Sequence, residues 1–260
     1  MELENLNQIE DQGNKMRAEL LRIGGAILFL VAIMLFISMT TAHTPNQSFL
    51  IISAVIGGYM ALNIGANDVA NNVGPAVGSQ ALSLGGAILI AMIFESAGAL
   101  VAGGEVVSTI KKGIIDPSLI NDTDTFVWLM LAALLAAAVW LNTATYFGAP
   151  VSTTHSIVGG VLGAGIAAGG WNIANWAVFG KIAASWVISP VLGGVVAAAF
   201  LALIKAQVIY KEDKIAAARK WVPILVGIMA GAFAAYLAVK GLKRIVKIDL
   251  QMALVIGLVL

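Results

Sequence analysis

The chain has 260 residues, 60% hydrophobic and 11% charged, with a mean hydropathy of +0.93 and a net charge of +1. Soluble domains sit nearer about 45–50% apolar and about 25% charged, so the composition excludes one and points to an all-α polytopic membrane protein. The near-zero charge supplies no field for nucleic acid, and the absence of cysteine excludes disulfides, thiolate metal sites and a cysteine nucleophile.

Residues 1–22 are polar and mixed in charge, and read as an extramembrane tail without the apolar core or cleavage site of a signal peptide. The first transmembrane helix is expected over 23–41, ending in the polar break AHTPNQS. A second apolar run starts at Phe49 and leads into NIGANDVANNVG, Asn63 to Gly74. Leu84–Gly104 makes a third, followed by a polar loop containing Lys111, Lys112, Asp116 and Asp122. Val127–Phe147 is the next span, and GAPVSTTHSIVGGVLGAGIAAGG (Gly148–Gly170) follows almost without a connector. Asn175–Ile204 is long enough for a tilted span that Pro190 is expected to kink.

A charged loop occupies 205–221, and further helices are expected within 222–260. Their last run, LQMALVIGLVL, has 11 residues and is too short to cross about 30 Å of hydrocarbon. The chain is therefore expected to be a fragment, or half of a larger transporter. The loops flanking Val222–Val239 carry five and four Lys/Arg, so the positive-inside bias nearly cancels there. The 28 glycines are expected to serve close helix packing, with Gly159-x3-Gly163 as one small face and Gly98 and Gly103 in similar company.

Few charges sit at membrane depth. Between Ile23 and Gly104 the only Asp, Glu, Lys or Arg residues are Asp68 and Glu95; between Val127 and Ile204 there is only Lys181, with His155 as a further titratable group. A charge near the bilayer centre costs at least about 2.5–3.5 kcal/mol, so such residues face a cavity or a partner. On a helix, Asn63, Asn67 and Asn71 form one stripe with Asp68 and Asn72 beside it. That hard-oxygen nest suits Na⁺ or a proton-bearing carboxylate. Gly65, Gly74 and Pro75 argue for a helix broken nearby. The competing reading is a polar turn with Asp68 as a helix cap.

The second constellation is APVSTTHS, Ala149 to Ser156. Pro150 suits a helix start, and Ser152, Thr153 and Thr154 crowd the first turn, where free N–H groups and the helix dipole make an anion cradle. A capped helix start, with hydroxyls bonding back to carbonyls, is the plainer alternative. His155 suits either a proton relay or a structural role.

GANDVANNVG with PVSTTHSIVGG resembles the inorganic phosphate transporter (PiT) family, and IFESAGALVAGGEVVSTIKKGII between them is similar to it as well. The resemblance implies two inverted repeats, each with a GANDVAN-type broken helix and an STTH-type re-entrant hairpin, of which this chain holds one over 48–204. It implies phosphate ligands at Ser152, Thr153, Thr154 and Asn67, and cation ligands at Asp68, Asn71 and Glu95. It further implies secondary symport with Na⁺ or H⁺ by alternating access in a prokaryotic plasma membrane. Inorganic phosphate, the coupling ion and the bilayer are then the partners, together with a second repeat half or another copy of the chain. No organic cofactor or nucleic acid is implied. Asn72 stands where the signature has alanine, and each motif occurs once.

Sulfate or another oxyanion fits the same donors, and a channel or non-transporting subunit is a separate alternative. Ser152, His155 and Asp68 are the residue types of a hydrolase triad, but no GxSxG elbow accompanies them.

Overall fold

The computed structural model describes residues 2–120, 122–240 and 250–259. Among them the regular structure is helical apart from one isolated bridge, Ile115 to Ala174. The order is α1 (Glu2–Thr40), α2 (Gln47–Ile64), one π-helical turn (Gly65–Val69), α3 (Ala70–Gly78), α4 (Leu84–Gly113), α5 (Thr123–Tyr146) and α6 (Thr153–Gly169). Then come α7 (Trp176–Ile204), a second π turn (Lys205–Ile209), α8 (Lys214–Lys240) and α9 (Leu250–Val259). Five described segments are long and apolar enough to cross a membrane: Met16–Thr40, Gln47–Gly78, Thr123–Tyr146, Trp176–Ile209 and Lys214–Val239.

Several boundaries differ from the sequence reading. α1 begins at Glu2, so the polar tail, for which a short amphipathic helix is one reading, is helical and runs into the first span without a break. α4 runs on to Gly113, so Lys111 and Lys112 are helical. α7 continues through Pro190. α8 starts inside the expected charged loop, where Asp213 Oδ1 accepts the Ala216 N–H at 2.9 Å and caps it. The basic stretch 241–247 lies outside the described residues.

The expected break in the GANDVAN helix is corrected as well. Gly65 is right-handed helical (φ −58°, ψ −42°), Gly74 and Pro75 lie inside α3, and the helix is continuous from Gln47 to Gly78. The disturbance takes the form of the π turn, a wider turn that accommodates an additional residue without parting the chain.

The chain divides into two compact units. The first comprises Met1–Ala91 and Ile115–Ala174. In it α1 lies along α2, with the Ile33 side chain seated over Gly58. α2 packs on α5 around Met60, Ala137, Ala138 and Leu141. α5 and α6 form a helical hairpin, closest where Gly160 faces the Ala133 carbonyl; a Cβ there would sit 2.6 Å from that oxygen. Gly159 and Gly163, expected to make the close approach, instead face open space, as do Gly98 and Gly103. The residue next in sequence faces the partner helix because one step turns about 100° around the axis.

Away from the hairpin tip, Gly165 and Gly169 sit against Ile115 and Ile173, and Asp116 N–H donates to Ile173 O at 2.8 Å. Asp122 starts α5, its carboxylate accepting the N–H groups of Asp124 (3.2 Å) and Thr125 (3.1 Å). The second unit comprises Met92–Ile114 and Asn175–Leu260. Its α8 and α9 touch at Gly231 and Gly257, backbone against backbone.

Candidate functional site

The tip of the α5–α6 hairpin is extended between Gly148, in the left-handed region at φ +66°, and Ser152. Helix α6 starts at Thr153, three residues later than Pro150 at a first helical position would require; Ser152 is the cap, its Oγ accepting the His155 N–H at 3.3 Å. Its hydroxyl proton is left to donate elsewhere. Ser152 and Thr154 are exposed. Thr153 is different: its Oγ1 is shielded, with no hydrogen-bond partner among the described residues. Ser156 Oγ donates back to Ser152 O at 2.8 Å.

Asparagine side chains of α2 and the π turn meet this tip. Asn67 is 6% exposed and Asn63 4%. Asn67 Nδ2 donates to Thr145 Oγ1 and to Ala149 O, both at 3.1 Å, and its Oδ1 accepts the Val151 N–H at 3.2 Å. The two backbone partners fix which end of the amide is which, since Ala149 O can only accept and Val151 N–H only donate. One turn back, Asn142 Nδ2 donates to Asn63 Oδ1 at 3.0 Å, and Asn63 Nδ2 donates to Tyr59 O at 2.8 Å.

The expected Asn63–Asn67–Asn71 stripe therefore does not hold as a unit. Asn63 and Asn67 are buried against the hairpin, whereas Asn71 and Asn72 are exposed. The π turn between Gly65 and Val69 shifts the register between Asn67 and Asn71, so the step of four from Asn67 no longer returns to the buried face that Asn63 and Asn67 share. Both N–H donors of Asn67 are taken by protein oxygens in this structure.

Asp68, next to Asn67, is half-buried and has no protein hydrogen bond among the described residues. Asn67 is thus brought to the tip that carries Ser152, Thr153 and Thr154, and Asp68 follows it in the same turn. Glu95 is exposed on the part of α4 that belongs to the second unit. Asn142 and Thr145 were not singled out from sequence. The signal was present in LNTATY, a polar cluster ending an apolar run, but hydroxyl back-bonding explains such residues equally well. No group of three or more His, Asp or Glu suited to a metal ion occurs among the described residues.

Membrane-length apolar helices, together with buried amides and a hydroxyl-lined helix start in the first unit, define a multi-pass membrane protein with a polar hairpin tip. The model of the phosphate transporter family matches residues 64–260. Two proteins of Helicobacter pylori, strains J99 and 26695, each described as a candidate phosphate permease, are 52% identical over the whole chain. A counterpart of the same description from Pyrococcus horikoshii is 43% identical over 68% of this chain and 44% of its own. A solved structure described as the sodium-dependent phosphate transporter aligns with a TM-score of 0.75 at 37% identity, covering 82% of this chain and 52% of its own. The chain belongs to the phosphate transporter (PiT) family, a family of transporters and not of enzymes. It spans about half the length of the curated relatives it matches, 49% for the Helicobacter proteins.

Proposed function

We propose that this chain supplies one phosphate- and cation-binding half of a secondary phosphate transporter, an inverted-repeat carrier of the plasma membrane working by alternating access. The observation that carries the reading is the Asn67 contact to Ala149 and Val151, which joins the acid-bearing turn to the STTH helix start. Ser152, Thr153 and Thr154 offer hydroxyls and the N-terminal N–H groups of α6 to a tetrahedral oxyanion. Thr153 supports this role through a shielded hydroxyl that lacks a protein partner. Asp68 carries the coupling Na⁺ or H⁺, offsetting part of the anion's charge, with Asn71 as a further cation ligand. The sodium dependence in the name of the structural relative favours Na⁺.

Hairpin α5–α6 is re-entrant in this reading. At about 1.5 Å per residue, the 17 residues of α6 reach about 26 Å, short of about 30 Å of hydrocarbon, while α5 by itself is long enough to cross. Both arms also return to the segment where Asp116 bonds Ile173.

The test is uptake of radiolabelled phosphate into proteoliposomes holding the full-length protein, with imposed Na⁺ or proton gradients. Saturable uptake that a gradient drives and excess sulfate leaves intact is the expected result. Uptake suppressed by sulfate would assign a different oxyanion, and gradient-independent current would assign a channel.

A further inference from the structure

The stretch before α6 has an unusual hydrogen-bonding problem. Pro150 has no N–H, and the extended residues around it belong to no sheet. One side chain resolves it: the Asn67 carboxamide meets Ala149 O and Val151 N–H on either side of Pro150, as a neighbouring strand would. Its remaining N–H goes to Thr145 Oγ1, whose own proton goes to Leu141 O at 2.8 Å. The amide is therefore fixed on three sides. The Asn63–Asn142 bond repeats the tie between the same two helices one turn away.

We propose that Asn67, backed by Thr145, is a positioning residue that straps the turn carrying Asp68 to the backbone of the hairpin tip. Asp68 and the Ser152–Thr154 helix start then move as one body, and Asn67 sets the affinity for the anion without touching it. For its effect on uptake the inference rests on the phosphate reading above; the strap itself does not.

The experiment uses the full-length protein carrying Asn67→Ala, Thr145→Val or Thr145→Ser. Amide hydrogen exchange is read over residues 149–155, and phosphate uptake over a concentration series. Asn67→Ala and Thr145→Val are expected to speed exchange at the tip and to raise the phosphate KM about fivefold, the worth of one net hydrogen bond. Vmax per folded transporter is retained, and Thr145→Ser restores wild-type exchange and KM. A general loss of structure would lower Vmax and would not respond to a serine in place of a valine.

Unchanged tip exchange in Asn67→Ala would overturn the strap. A raised KM in Asn67→Ala with an unchanged KM in Thr145→Val would also overturn it, by making Asn67 a direct ligand. If Asn67→Ala does not fold, Thr145→Val, which only exchanges a hydroxyl for a methyl, decides the matter by the same two readouts. Faster exchange in a protein whose wild type takes up no phosphate would sustain the strap and reject the phosphate reading.

Discussion

Side chains of one chemical type are divided among different duties by burial. Asn67 and Asn63 are spent on the hairpin, while the neighbouring carboxylate of Asp68 keeps its oxygens free of described protein donors. Asp68→Asn removes the charge yet keeps the shape, so phosphate uptake is expected to lose its response to a Na⁺ or proton gradient. Coupled uptake that survives the change would take Asp68 out of the cation site. Thr153 supports a second prediction. A shielded hydroxyl without a partner costs about 1–3 kcal/mol, so replacing it with a methyl need not destabilise the anion-free protein. Thr153→Val is expected to melt at or above the wild-type temperature while losing much of the stabilisation that added phosphate confers. An undiminished phosphate-dependent shift would mean that Thr153 does not hold the anion.

At the scale of elements, the hairpin depends on one close approach. Gly160→Ala would drive a methyl into the Ala133 carbonyl, which is backbone and cannot rotate away, at a cost of about 1–3 kcal/mol. Gly159→Ala points into open space and should be neutral or stabilising by about 0.4–1 kcal/mol. Melting in detergent is expected to fall for Gly160→Ala and to stay or rise for Gly159→Ala; equal losses in both would contradict the packing. At the start of α5, the backbone N–H of Thr125 holds the Asp122 carboxyl below its ordinary 3.8, assisted by the Asp124 N–H and the Thr125 hydroxyl. A depressed folded-state value stabilises above the unfolded one and is lost as pH falls through the folded one. Acidification below 3.8 should therefore fray the first turn of α5, seen as faster exchange of the Asp124 and Thr125 amides, and an Asp122→Ala variant should be frayed already at neutral pH.

For the molecule as a whole, the exposed apolar surface is what a bilayer requires. Leu100, Val187, Val195 and Met229 stand more than half exposed on helices of membrane-spanning character or apolar composition. In water such surface marks an interaction site or an aggregation hazard, whereas in hydrocarbon it carries no cost. The re-entrant arrangement predicts that residues before α5 and after α6 lie on one side of the membrane. Because these 260 residues contain no cysteine, Ser118→Cys and Asn172→Cys can be read with an impermeant thiol reagent against the unsubstituted protein as background. Both are expected to label from the same side. Labelling from opposite sides would contradict the antiparallel α5–α6 pair itself, whereas a Phe147→Cys tip that labels from the side opposite to Ser118→Cys would make the pair two full crossings.

Membrane class, the order of the apolar helices and the two polar motifs were legible in the chain alone. Composition and run length decide them directly, since an unpaired charge in hydrocarbon is costly wherever the rest of the chain folds. Asp68 and the Ser152–Thr154 helix start could be singled out for the same reason. The division of labour among the asparagines could not, because a period of four assumes an unbroken α-helical register. The π turn at Gly65–Val69 alters that register, and only the packing against α5 and α6 shows which amides it turns inward. The Gly159/Gly160 choice was hidden likewise: adjacent glycines are equivalent in sequence and differ only in which one faces Ala133. Thr145 and Asn142 acquired their roles from partners 78 and 79 residues away in sequence. Local pattern determines which groups are too polar for lipid; tertiary contact alone determines which become structural ties and which keep no described protein partner.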